Sequence, residues 1–321
     1  MSVLQPLFIL ASPRSFTSLT CGMLGQHPDL YGVAELNLFY TDNVKNYLQI
    51  FRDEGQFRRT HGLHRVIAQL FAGEQTIESI QLAHRWLMNR YHWSNGDIYW
   101  ELCKKVQPLR IVDKSPAYSL FPESLVRIRE TFPDAYFLHL VRHPRAQGES
   151  VMNLMPNVRY GKIIVKKVFS ISDTKTVNPT MINTLDTSQE KPVLDYQFLW
   201  YRMQYRIMEF MKTIPPERQM RLRGEDILGN PPHYFEMISN WLKISWSDAA
   251  YEAMLHPEDS PFSSPGPLGA QFGNDPNFMK NPVFRPRNIK IPKLEGSLPW
   301  RSDGKGFAPK VIELARELGY E

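Results

Sequence analysis

Arg14 lies in the stretch "ILASPRSFTSLTCGMLGQHP", residues 9 to 28, at the point where an apolar run stops and a helical pattern begins. A strand, a tight turn and a helix start make an anion site, because the first N–H groups of the helix point outward and its dipole favours negative charge. Arg14 can fork onto phosphate or sulfate oxygens. Ser15, Thr17 and Ser18 add hydroxyls and backbone donors. A plainer arrangement also fits, in which Thr17 caps a structural helix and Arg14 is a solvated surface residue. The turn lacks the Gly-Lys-[Ser/Thr] with which a nucleotide-hydrolysing loop grips the β/γ-phosphates and magnesium. That disfavours a kinase using ATP or GTP. Phe16 occupies a place where such turns favour glycine. Phenylalanine reaches positive φ only at a cost. The expectation is therefore φ below zero and helical geometry at Phe16, with the ring turned away from the anion.

Four other residues have types and positions suited to group transfer. Glu35 follows Arg14 by 21 residues and offers a carboxylate to take a proton, or is a solvated glutamate at a strand end. Lys114 follows a short apolar run and precedes Ser115-Pro116, so it faces a ligand crevice or pairs with Asp113 or another acid. Arg142 ends the run "YFLHLV", Pro144 suits a first helical turn, and Ser150 comes eight residues after Arg142. That spacing would bring the arginine and the serine to one phosphate; the alternative is a surface-exposed pair of Arg142 with Arg145. His139 reads as a packed strand histidine, and a histidine, His139 or His143, stays open as the base in place of Glu35. No His/Cys/Asp cluster has metal-ligand spacing, and no metal is expected.

These residues need strands and helices to bring them together. Short continuous apolar runs at Leu7 to Ala11, Arg110 to Val112, Ala135 to Val141 and Gln219 to Arg223 read as buried parallel strands. Helical spacing covers 76 to 93, 193 to 213, 231 to 244 and 307 to 318. Alternation of the two predicts a three-layer α/β/α fold around a mostly parallel sheet, forming one domain over 1–321. Residues 156 to 192 and 256 to 303 are polar or rich in Pro and Gly and are expected to be lids over the strands' C-terminal ends. The chain has 321 residues, 42% of them hydrophobic and 22% charged, with a formal net charge of +5. This ordinary, mildly basic balance favours a pocket for a small polyanion over nucleic acid. Two distant cysteines and no run of about 20 apolar residues point to a reducing, cytoplasmic setting without a membrane span.

The segment "PRSFTSLTCGMLGQHPDLYGVAELNLF" resembles the opening of sulfotransferases that use 3′-phosphoadenosine 5′-phosphosulfate (PAPS), whose usual form is Pro-Arg-Ser-Gly-Thr-Thr, a helix, His-Pro and then an acidic residue. "IVDKSPAYSL", "FLHLVRHPRAQGES" and "RLRGEDILGNP" resemble three later segments of that family, in family order. "GNDPNF" is similar to the bacterial branch, including domains attached to polyketide synthases. The resemblance implies transfer of a sulfuryl group from PAPS to a hydroxyl of a small-molecule or carrier-bound acceptor, leaving PAP and needing no metal. It implies that Arg14 neutralises the leaving phosphate and that Ser15, Phe16, Thr17 and Ser18 hold the 5′-phosphate. It further implies that Glu35 is the base, that Lys114 meets the sulfuryl group or bridging oxygen, and that Arg142 and Ser150 grip the 3′-phosphate. In "GPLGAQFGNDPNF", Gly273 and Asn274 would close backbone over that 3′-phosphate, although a Pro- and Gly-rich tail has the same composition. The family's place in natural product biosynthesis suggests a β-hydroxyacyl acceptor. Phe16 and Gly224 depart from the pattern, the second standing where a tyrosine is common. They leave open a PAPS- or PAP-binding protein without catalysis. Trp200 is expected in the core or beside the adenine.

Overall fold

The computed structural model describes residues 3–53, 56–154, 179–186, 193–286, 289–301 and 303–321. The run LFIL forms strand β1 (Leu7–Leu10), buried along its whole length. Phe8 and Leu10 enter one core and Leu7 and Ile9 the other. A strand covered on both faces carries apolar side chains on both, hence the unbroken apolar run. Beside it lie β2 (Leu30–Gly32), β3 (Arg110–Asp113) and β4 (Tyr136–Val141). A small antiparallel ribbon pairs β5 (Leu185–Asp186) with β6 (Val193–Leu194), and β7 (Gln219–Arg223) completes the main sheet. The sheet order is β2-β3-β1-β4-β7 with every pair parallel. Four of its strands lie where the apolar runs place them. β2 was not anticipated, because three residues are too few for a periodic signal.

The described helices are α1 (Thr17–Leu24), α2 (Val44–Asp53), α3 (His61–Ala72), α4 (Ile77–Met88), α5 (Asn95–Val106), α6 (Pro122–Thr131) and α7 (Pro144–Leu154). They continue with α8 (Pro179–Thr184), α9 (Tyr196–Met211), α10 (Gly224–Gly229), α11 (Pro231–Leu242), α12 (Asp248–Met254), α13 (Pro276–Lys280) and α14 (Pro309–Glu317). Helices α1, α10, α11 and α12 bury Met23, Leu228, Phe235 and Met254 with Leu7 and Ile9. Helices α2 to α6 and α9 cover the opposite face around Phe8 and Phe137. The result is three layers, α/β/α, with the sheet in the middle. From β1 the chain moves to one side for β2 and β3, then crosses to the other for β4. The strand order therefore reverses next to β1, where open α/β sheets leave a crevice beyond the strand C-termini.

The irregular segment 256–303 is anchored by a buried arginine. Arg65 on α3 is 1% exposed and donates to the side chain of Gln75 and to the carbonyls of Pro261, Ser264 and Phe272. These oxygens replace water around the guanidinium, and burial lowers its pKa to about 10. Fastening 261–272 over α3 delivers residues 273–285 to the crevice. Of the expected lid at 156 to 192, residues 155–178 and 187–192 lie outside the described residues. Its described part, α8 with β5, is tied to α9 by Arg202 and Arg206, which donate to Asn183.

Candidate active site

The candidates converge because their strands are parallel: each follows a strand's C-terminal end. Arg14 to Ser18 follow β1, Glu35 follows β2, Lys114 follows β3, Arg142 follows β4 and Gly224 follows β7. Thr17 does not cap α1. The N-cap is Phe16, which makes no side-chain cap bond. The first-turn N–H groups at Thr17 and Ser18 therefore lack a capping acceptor and adjoin the cavity described below.

The backbone of the turn overturns the expectation for Phe16. Its φ is +62° and that of Arg14 is +67°, both left-handed. For non-glycine residues each costs on the order of 1–2 kcal/mol. Tertiary contacts oppose that cost. The Arg14 carbonyl accepts from Arg142 NH1 at 2.6 Å, and the Pro13 carbonyl accepts from Gln147 Nε2 at 2.9 Å. The Phe16 ring packs on Gly224 and lies 4.2 Å from the Arg142 guanidinium. Local steric preference at one residue was outweighed by contacts from β4, α7 and α10.

Beside the turn lies a cavity of about 390 Å³ with a mixed lining. Arg14, Thr17, Ser18, Arg142, Ser150 and Arg285 give it cationic and hydroxyl groups. Phe16, Leu19, Leu228, Phe278, Val283 and Phe284 give it apolar ones. Arg14 Nε donates to Ser150 Oγ at 3.0 Å, joining the turn to α7. Burial lowers the Arg14 pKa. Trp200 is fully buried, and its indole N–H donates to the Arg142 carbonyl at 2.8 Å, so it braces the strand end from the core.

Three of the residues expected to hold the donor, Ser15, Gly273 and Asn274, are not among those lining this cavity. Ser15 is buried, with its hydroxyl 3.1 Å from that of Ser12. Gly273 does not line the cavity: its carbonyl accepts the Glu35 N–H at 2.7 Å. Its φ of +107° and its approach to Gly62 leave no room for a side chain, since a Cβ there would come within 2.5 Å of the Gly62 Cα. Asn274 donates to the Phe262 carbonyl at 3.2 Å. The neighbouring Asp275 reaches the cavity instead, where one carboxylate oxygen accepts from Arg14 and the other from the N–H groups of Asn277 and Phe278. Asp275, Asn277 and Arg285 were not anticipated. The Asp-Pro of "NDPNF" is a helix-start signal, but nothing local indicates what the helix faces.

Asp275 places a negative charge on the arginine that an incoming anion needs. Asparagine caps a helix as well as aspartate does. Asp275→Asn is therefore expected to keep the fold and tighten binding of adenosine 3′,5′-bisphosphate on the order of tenfold, by removing a like charge from the cavity. Titration calorimetry on both proteins checks this; weaker binding by the variant would count against the argument.

A second cavity, about 300 Å³, is lined by Pro13, Glu35, Asn37, Arg59, Pro116 and Met203, among others. Pro13 lines this cavity and Arg14 the first, so the turn borders both. Lys114 Nζ lies 2.6 Å from Glu35 Oε1. The lysine is buried beneath the glutamate and lines neither cavity; the partner the structure gives it is this acid. Asp113 is engaged by Ser115 Oγ at 2.8 Å and Tyr118 OH at 2.9 Å, and burial pushes its pKa up to about 7. His139 bonds Gln204 at 2.5 Å, and burial pushes its pKa down to about 3. Among the described residues no group of three or more His, Cys, Asp or Glu is placed to hold a metal ion. No described helix is long and apolar enough to cross a membrane.

Two solved structures share this architecture along nearly the whole chain. One is a sulfotransferase domain from the curacin biosynthetic pathway, with 22% identity, 100% of this chain and 99% of that one covered, and a TM-score of 0.68. The other is a sulfotransferase domain from the Synechococcus PCC 7002 olefin synthase, with 24% identity, coverages of 99% and 95%, and a TM-score of 0.70. At these identities the likeness establishes the fold. A comparison with curated proteins gave no match. The profile of the Sulfotransferase family matches residues 6–248, which spans every strand of the sheet and the turn, Glu35, Lys114, Arg142 and Ser150; the chain belongs to the sulfotransferase family.

Proposed function

We propose that the protein transfers a sulfuryl group from PAPS to a hydroxyl group held in the second cavity. The observation that carries this reading is the mixed lining of the first cavity. Arginines, hydroxyls and a helix N-terminus suit phosphate and sulfate groups, and rings and aliphatic side chains suit a purine. The Asp275 carboxylate on Arg14 supports the fit, since it occupies an anion's position. PAPS supplies the sulfuryl group: its bond to the phosphate oxygen breaks as the acceptor oxygen bonds to sulfur. Arg14 neutralises the charge gathering on the leaving phosphate. Glu35 accepts the hydroxyl proton. Lys114 holds the Glu35 carboxylate in place. Arg142 and Ser150 fix the 3′-phosphate.

The second cavity's mixed lining suits an acceptor with an apolar stretch beside its hydroxyl. The similar domains come from the curacin biosynthetic pathway and an olefin synthase. That origin supports a hydroxyacyl chain, free or carried by a partner protein, as the acceptor.

Adenosine 3′,5′-bisphosphate at a hundredfold excess over its Kd contributes about 2.7 kcal/mol. The expected result is a rise in Tm of roughly 5 °C, without magnesium. Mg-ATP should give no comparable shift, and a larger shift with Mg-ATP would favour a kinase. Transfer of labelled sulfate from PAPS to a hydroxyacyl acceptor then separates an enzyme from a protein that only binds the nucleotide.

A further inference from the structure

We propose that Phe16 and Gly224 are a reciprocal pair, in which the Phe16 ring replaces a side chain at 224 and holds Arg142 over the first cavity. The proposal rests on reading that cavity as a site for 3′-phosphoadenosine nucleotides. Taken singly, each residue looks like a lesion: a ring in a turn that favours glycine, and a glycine where a tyrosine is common. In the fold they touch. A Cβ built on Gly224 would lie 2.6 Å from the Phe16 ring. The start of α10 and the N-cap of α1 thus leave room for one ring, and here residue 16 carries it.

The ring has a second contact. The Arg142 guanidinium stands 4.2 Å from its centroid, a cation–π distance, while NH1 donates to the Arg14 carbonyl at 2.6 Å. The Arg142 carbonyl is itself held by Trp200. Gly224, Phe16, Arg142 and the turn therefore form one chain of contacts. Gly224 admits the ring, the ring supports the guanidinium, and the guanidinium secures the turn whose left-handed residues need that support. Phe16 is a positioning residue: its effect on the ligand passes through Arg142. That effect is greatest for ligands that place a phosphate on Arg142. Adenosine 3′,5′-bisphosphate has such a phosphate, and AMP does not.

The experiment measures both nucleotides by calorimetry on wild type, Phe16→Leu, Phe16→Gly, Gly224→Ala, Gly224→Tyr and the double variant F16G/G224Y. Phe16→Leu keeps apolar volume without a π face. It is expected to lower the bisphosphate-to-AMP affinity ratio on the order of tenfold. Gly224→Tyr and the milder Gly224→Ala should weaken the bisphosphate in the presence of Phe16. F16G/G224Y should bind it better than either single variant, because the ring has moved from one side of the contact to the other. Additive losses in the double variant, or an equal loss of AMP and bisphosphate affinity in Phe16→Leu, would overturn the pairing. Failure of wild type to bind the bisphosphate at all is a separate outcome, which would remove the nucleotide reading itself.

Discussion

Glu35→Gln is expected to lower kcat for sulfuryl transfer by about 10²- to 10⁴-fold, the usual span for losing a positioned general base. The substitution keeps size and shape, and the glutamine carbonyl can still accept from Lys114. The backbone there is fixed independently, by the Gly273 carbonyl on the Glu35 N–H and by Gly62 packed so closely that a Cβ would overlap the Glu35 carbonyl. Stabilisation by adenosine 3′,5′-bisphosphate should therefore survive while turnover falls. His139 is an unsuitable substitute, being fully buried, bonded to Gln204 and 3.3 Å from the Arg221 Nε. His143 is buried too, and its pKa is pushed down to about 4. Single-turnover measurement with labelled PAPS checks the prediction, and full activity in Glu35→Gln would place the base elsewhere.

Arg14→Ala should affect both binding and chemistry. The guanidinium reaches the first cavity from the turn and is held between Ser150 and Asp275. Its loss removes the cation nearest the 5′-phosphosulfate position, for which a fall in kcat of about 10²- to 10³-fold is expected. Bisphosphate affinity should drop in the same variant, which distinguishes it from Glu35→Gln. Alanine and arginine pay similarly for a left-handed φ, so the strain in the turn is unchanged. Arg14→Lys keeps the charge without the fork and should fall between the two. Measurement of kcat alongside calorimetric Kd checks both effects. An Arg14→Ala protein that turned over normally would remove the turn from the mechanism.

Much of this site is legible because its elements are local. "LFIL" must be a strand buried on both faces, and "SPRSFTS" must turn into a helix whose N-terminus favours an anion. Arg142 and Ser150 are eight positions apart across a strand end and a helix start, and both line the first cavity. Lys114 was legible as a strand-end cation, but its partner was not: Glu35 lies 79 residues away on a different strand end. The C-terminal strap was legible only as composition. Its position depends on Arg65, whose carbonyl partners lie about two hundred residues further along the chain. Gly273 and Asn274 suggested backbone over a phosphate, whereas the Gly273 carbonyl supports Glu35 and Asp275 reaches the cavity.

The sequence by itself determined the parallel α/β framework, the family, and the strand ends where Arg14, Lys114 and Arg142 stand, because strand and helix signals are carried by neighbouring residues. Only the tertiary structure decided the left-handed turn, the pairing of Lys114 with Glu35, the carboxylate on Arg14 and the meeting of Phe16 with Gly224. Each of these depends on groups distant in the chain, whose packing outweighs local preference when it offsets a few kcal/mol of strain or desolvation.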